Sequence, residues 1–260
     1  MIKMSIIKME LKRSLKSLLI WGLSMGSLMY IIVAVYPIVG DMYAALPQEY
    51  MDLFGGIPQN IIEYFGLEGG IMVQLMGSIY AAIVGFVAIN REFSEMSIDE
   101  IYTLPVSRSE FFINKLVSVI IQVLVFMVFN IIFILLGFIT AGPMPYLGDF
   151  FGFMGMTTLL FIIIAIFGFA LAIIIKRGAK AMISLVIPLP LYVIYFIYQL
   201  TDNKVLANLK YLTPFTFADA VYFFQDKINF EWITLVVFIV LTGGLLVYSY
   251  KIFKSRDLLS

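Results

Sequence analysis

The stretch SIDEIYTLPVSRSE, residues 97–110, gathers charged side chains in a chain that has few of them. Ser97 and Glu100 stand three residues apart, as do Ser107 and Glu110. Each pair is the Ser-x-x-Glu pattern in which a hydroxyl and a carboxylate satisfy the first unpaired amides of a helix. Asp99 and Glu100 suit the positive end of the helix dipole. Ile98, Ile101, Tyr102 and Leu104 add apolar groups, Pro105 ends the element, and Arg108 follows the second cap. The spacing predicts a short, rigid helix over 97–105 that offers charge and apolar surface together, which fits a docking surface. A capped turn joining two longer helices would carry the same signals and is the alternative.

Other chemistry is sparse. The chain has no Cys and no His, which excludes disulfides, thiolate metal sites and the commonest neutral-pH proton carrier. Without His or Cys there is no Ser-His or Cys-His nucleophile pair. No G-x-x-x-x-G-K-[ST] run is present to cradle ATP phosphates. No catalytic residue, metal site or nucleic-acid partner is expected. Uncharged polar residues do fall in apolar stretches: Gln74, Ser78, Gln122, Asn130 and Gln199. They suit either a lined path for a substrate or hydrogen bonds between packed helices, and the sequence leaves both open.

The elements that must hold these residues follow from composition. Of 260 residues 62% are hydrophobic and 13% charged, with a mean hydropathy of +1.01. A soluble domain is less apolar and about twice as charged, so the chain reads as a multi-pass membrane protein. Six stretches are long enough to cross a bilayer: 18–39, 70–89, 116–140, 151–175, 181–200 and 232–250. None contains Asp, Glu, Lys or Arg. Six spans place both termini on one side. Fourteen of the 17 basic residues lie in the terminal segments and in the loops around 90–115 and 176–180, which the positive-inside rule assigns to the cytoplasm. Proton-driven carriers usually carry an ionisable group inside the membrane, so an external energy source is the simpler expectation.

Residues 2–16 carry Met4, Ile7, Leu11, Leu15 and Leu18 on one helical face and Lys8, Lys12, Arg13 and Lys16 on the other. That pattern suits a helix lying in the inner interface against anionic headgroups, either as a topology anchor or as an elbow packed on the bundle. The positive start and apolar run are too long for a cleaved signal peptide. Segments 40–68 and 201–231 are read as external loops with amphipathic, aromatic pieces. Pro188 and Pro190 are expected to kink the fifth span. Gly22, Gly26, Gly77 and Gly85 permit close helix approach within the chain or between two copies.

These features in this order resemble the permease subunits of ABC-2 type transporters. The resemblance rests on Glu92, the Met96-Ser97 pair where Gly-Thr is usual, Glu100 with Ile101 and Tyr102, Pro105-Val106-Ser107-Arg108 and Lys115. It also rests on the external YLTPFTFADAVYF and the C-terminal YKIFKSRDLLS. It implies an all-α integral membrane fold, one permease domain over 1–260. This would have six transmembrane helices, an N-terminal interfacial elbow helix (2–16), a cytoplasmic coupling helix (97–105) and amphipathic external segments (40–68 and 201–231). It implies coupling to a separate ABC ATPase through Ser97, Ile98, Asp99, Glu100, Ile101, Tyr102, Leu104, Pro105 and Arg108. ATP and Mg would be bound by that partner. A second permease copy or a sister permease, the bilayer, and a bacterial cytoplasmic membrane with both termini inside complete the expectation. Export of an amphipathic or hydrophobic cargo, with a peptide toxin or antimicrobial favoured, is the function implied. An ion-gradient-driven secondary transporter is the alternative, and a non-transport membrane protein a third.

Overall fold

The computed structural model describes residues 4–44, 58, 60–94, 107–175, 179–201, 203, 205–225 and 229–255, and every element among them is helical. Six helices are long and apolar enough to cross a membrane: span 1 (Met4–Ala34), span 2 (Ile61–Arg91), span 3 (Arg108–Ala141), span 4 (Gly148–Ile174), span 5 (Ala181–Gln199) and span 6 (Trp232–Ser255). Their alternation gathers the described basic residues other than Lys210 at one end of the bundle, called the basic end below. Arg91, Arg108 and Lys180 lie there with the start of span 1 and the end of span 6.

Spans 1 and 3 pack as one pair and spans 2 and 4 as another. Small residues set both contacts. Gly22 and Gly26 lie against Phe129 and Phe133, where an added Cβ would stand 3.1 and 2.7 Å from the rings. Gly77 receives the Phe161 ring, Gly85 the Ala165 carbonyl, and Gly168 the Ala82 carbonyl. The close approaches at all four glycines predicted for this role are therefore made inside the chain. Aromatic tiers fill the rest. Phe65 meets Phe138, Phe150, Phe153 and Phe224 edge-on at the end opposite the basic one. Tyr80 stacks on Phe126 at mid-bundle, and Phe112 meets Phe169, Tyr250 and Phe253 at the basic end.

Four expectations change in detail. Residues 4–34 form one unbroken helix, so the predicted elbow over 2–16 is a direct extension of span 1 with no turn before residue 18. At about 1.5 Å per residue, 31 residues reach about 46 Å, well beyond a hydrocarbon core of about 30 Å. Its buried face is Ile6, Ile7, Glu10 and Leu18, continuing to Gly22 and Met25, while Met4 and Leu15 are exposed. Second, span 2 starts at Ile61, inside the predicted 40–68 loop, through a π-helical turn at Phe65–Gly70. Asn60 starts this helix by accepting from the Ile62 and Glu63 amides. Third, span 5 is interrupted at its prolines, by a change of helix type within Ala181–Gln199. Pro188 opens its α-helix, where the missing amide costs nothing, and residues Ala181–Val186 before it are a 3-10 turn. Fourth, the 201–231 segment has the helical pieces expected but goes deeper: Pro214–Ala218 is wholly buried, and Ala220–Gln225 follows as a short helix. Residues 97–105 lie outside the described residues.

A methyl group at position 85 would collide with a backbone carbonyl that cannot swing aside. Gly85→Ala is expected to lower stability by about 1–3 kcal/mol or more. Gly155→Ala, where nothing lies within 4 Å, is expected to be neutral. Thermal unfolding in mild detergent checks the pair, and equal melting of both variants would refute the packing.

Candidate functional site

The predicted docking segment ends one residue before Ser107, and the structure shows what it is fastened to. Ser107 Oγ accepts from the Glu110 amide and Glu110 Oε2 accepts from the Ser107 amide, both at 3.2 Å, so the second predicted capping box is formed. The first, Ser97 with Glu100, lies outside the described residues. Arg108, the only predicted coupling residue among those described, donates from Nη1 to the Lys254 carbonyl at 3.1 Å. It thereby caps a free carbonyl in the last turn of span 6. Ser109 and Tyr250 share a hydrogen bond of 2.6 Å between their hydroxyls. Phe111 stacks on Phe253 with ring planes 5° apart.

One turn further along, Lys115 is wholly buried, and its Nζ lies 2.8 Å from Glu10 Oε1. Glu10 is 4% exposed, and Arg13 approaches the same carboxylate oxygen at 3.9 Å. Lys115 also lies over the Phe111 ring, 5.2 Å from its centre. This ion pair joins span 1 to the root of span 3. The sequence reading missed it. Glu10 was the signal available: an acidic residue in a basic segment, four residues after Ile6 and three after Ile7, on the face that proves buried. Lys115 was counted as a loop charge because it stands just before the apolar run.

Four of the five polar residues singled out in the spans are interior. Gln74 donates to the Ala218 carbonyl. Gln122 donates to the Ser118 carbonyl at 3.2 Å and Asn130 to the Phe126 carbonyl at 2.8 Å. Ser78 Oγ and Asn130 Oδ1, with Tyr80 Oη and Thr157 Oγ1, are buried with no hydrogen-bond partner among the described residues. Gln199 stands apart at the far end of span 5. Its Nε2 donates to Asp219 Oδ2 at 2.5 Å and to Tyr195 Oη at 2.8 Å. Asp219 is 1% exposed and also accepts from the Val221 amide at 2.8 Å, so it closes the buried Pro214–Ala218 turn and starts the next helix. Burial drives its carboxyl up to about 6, against the pull of the Val221 amide, Gln199 and Tyr195. Thr213 ties the turn to span 5 through the Leu191 carbonyl at 2.8 Å. The Lys210–Glu231 pair, 2.9 Å apart, ties it to the approach of span 6.

Six apolar spans, a reinforced root beside 97–106 and a plug of chain at the opposite end form the setting for the comparisons. A family model described as ABC-2 family transporter protein matches residues 4–258. The chain belongs to the ABC-2 transporter family. It is thus a multi-pass membrane transport subunit, not itself catalytic, of a family that works with ABC ATPase subunits. No curated protein matches it.

Removing one partner of the buried ion pair leaves the other charged without compensation. Glu10→Gln and Lys115→Met are each expected to cost about 3–5 kcal/mol, while the double change Glu10→Met with Lys115→Met recovers most of it. A double-mutant cycle on thermal unfolding measures this coupling, and strict additivity would contradict the pair. At Asp219 the folded carboxyl holds its proton more tightly than the unfolded one. Its contribution is therefore present below pH 3.8 and is lost as pH rises to about 6. The loss amounts to about 3 kcal/mol at 1.36 kcal/mol per pH unit. Melting profiles between pH 4 and 8 should show that slope in the wild type and not in Asp219→Asn.

Proposed function

We propose that this ABC-2 family member is the permease subunit of an ATP-driven exporter. Residues 97–105 act as the coupling helix seated in a groove of a separate ATPase, which binds ATP and Mg. The basic end faces the cytoplasm of a bacterial cell, with both termini inside. Two permeases, copies or sisters, assemble over two ATPases. ATP binding draws the two 97–105 segments together, and Ser107 passes the displacement to span 3.

The observation that carries this reading is the root of span 3. Within nine residues it is fastened to span 6 by Arg108 and Ser109 and to span 1 by Lys115. A helix anchored in this way moves its neighbours when its lead-in is pushed. The buried polar atoms of Ser78 and Asn130 that lack partners support a path through the membrane, since they gain hydrogen bonds if the spans part. The apolar, aromatic interior favours amphipathic or hydrophobic cargo, a peptide toxin or antimicrobial foremost.

Purification of the tagged chain from its native membranes in mild detergent tests the proposal. A stoichiometric ATPase is expected to accompany it and to be lost on deleting 98–104 or on Glu100→Lys, with membrane insertion unchanged. A lone chain with no nucleotide-hydrolysing partner would overturn the proposal in favour of ion-driven transport. An ATPase retained by both variants would remove the role given to 97–105.

A further inference from the structure

A cavity of about 60 Å³ opens at the basic end between the extension of span 1, the end of span 2 and span 3. That volume holds more than a single water. Span 1 lends it Glu10, Ser14 and Ser17, span 3 lends Gln122, and span 2 lends Ile83, Val84, Val87, Ala88 and Arg91. On span 2 the valines and Arg91 follow one another along a single helical face, so the apolar residues lead up to the guanidinium.

Arg91 is the unusual member. Its side chain is half-buried, yet its guanidinium has no hydrogen bond or ion pair among the described residues. The one acid among the cavity's lining residues is already engaged, Glu10 holding Lys115 at 2.8 Å with Arg13 at 3.9 Å. The Ser17 hydroxyl has no protein partner among the described residues. Gln122 uses one of its two amide hydrogens on the Ser118 carbonyl. Ser14 donates back to the Glu10 carbonyl at 2.9 Å, which leaves its lone pairs on the cavity side and weakens its case as a ligand. Among the described side chains the local charge is positive: Arg91, Arg13 and Lys115 against Glu10. Depth is set by the neighbours, since Arg91 stands just past the apolar run 70–89 and Ser17 just before that of span 1. That is the headgroup level of a bilayer, where basic pockets between helices take lipid phosphates.

We infer that this cavity is a binding site for the phosphodiester of an anionic lipid. Arg91 is its principal ligand, Ser17 and Gln122 are supporting donors, and Val84 and Val87 lie against the glycerol and upper acyl carbons. A guanidinium is matched to phosphate oxygens in shape as well as charge. The site requires that the chain span a membrane and does not depend on the ATP-driven reading.

The test uses the full chain with whatever subunits copurify, stripped of loosely held lipid in detergent. Native mass spectrometry and melting temperature are followed on adding phosphatidylglycerol, phosphatidylcholine or inorganic phosphate. Wild type is expected to retain one phosphatidylglycerol at least tenfold better than phosphatidylcholine and to be stabilised by it. R91Q and S17E are expected to lose that retention, the second by placing a carboxylate at the mouth through an exposed residue. Lys12→Gln, on the exposed face, is expected to keep it. Equal retention by R91Q and wild type would overturn the site. Equal stabilisation by inorganic phosphate would overturn the lipid assignment in favour of a free-anion site. A loss of stability in R91Q that is the same in every lipid would show Arg91 to be an internal partner of Glu10 and would also overturn the site.

Discussion

The carbonyl of Ala165 occupies the place where a side chain at position 85 would begin, and the carbonyl of Ala82 does the same at position 168. Lipid tails are as apolar as leucine, so nothing hydrophobic drives two spans together inside a membrane. What remains is dispersion, which falls off within an ångström of optimal contact. Glycines opposite carbonyls let spans 2 and 4 collect that attraction over their backbones, and these two spans are the most buried of the six. Span 1 reaches span 3 by the same device in softer form, glycine against phenylalanine rings. Spans 5 and 6 pack around this centre and leave most of their apolar surface outward.

Charge is handled differently at the two ends. At the basic end Glu10 and Lys115 are both removed from water and paired, an arrangement whose desolvation cost consumes much of its attraction. Its value lies in registration, because a lone charge at that depth has nowhere else to go and span 1 cannot slide along span 3 without separating the pair. At the opposite end Asp219 has no basic partner among the described residues and relies on amide and hydroxyl donors from Gln199, Tyr195 and Val221. A carboxyl held that way can become neutral by taking up a proton, which a Lys–Glu pair cannot do without breaking. One end is locked and the other can be loosened.

The six spans were legible because a helix must offer about 20 apolar residues in a row to cross the hydrocarbon. Which face of each span turns inward was not legible from hydrophobicity. On span 3, Leu124, Val128, Ile132 and Leu136 are exposed, whereas Ser118, Gln122, Asn130 and Gly137 are buried. The polar and small residues marked the interior, the reverse of a soluble helix. Glu10 was hidden because the stripe Met4, Ile7, Leu11, Leu15, Leu18 straddles the true face: Ile7 and Leu18 are buried with Ile6 and Glu10, while Met4 and Leu15 are exposed. Span 2 began early because the glycines at 66, 69 and 70 read as a break, when a π-helical turn carries the chain through them. The YLTPFTFADAVYF stretch resembles a family segment, but the depth of its Pro214–Ala218 turn depends on a bond between residues 74 and 218, which no local pattern encodes. At the candidate site, the Ser107 cap was legible from four adjacent residues, while Arg108 to Lys254 and Lys115 to Glu10 each join distant parts of the chain.

The placement of the rigid parts determines where movement can go. Spans 2 and 4 are bound by backbone contact, spans 1 and 3 by interlocked rings and the Glu10–Lys115 pair, and span 6 follows span 3 through Arg108 and Tyr250. Under the proposed coupling, a displacement arriving at Ser107 is not absorbed inside either pair. It falls on the seam between them, where the contacts of spans 1 and 3 with spans 2 and 4 are sparser. Across that seam Tyr80 stacks on Phe126, while Phe126 with Phe161 and Trp21 with Tyr80 meet at a tilt, and ring contacts slide at lower cost than interlocked backbones. The buried oxygens without partners, on Ser78, Tyr80, Asn130 and Thr157, are distributed over the three spans that border it. An unsatisfied buried polar atom raises the free energy of the closed arrangement by about 1–3 kcal/mol. Four of them on the helices that border the weakest contact bring the closed and parted states nearer in energy than an all-apolar interior would.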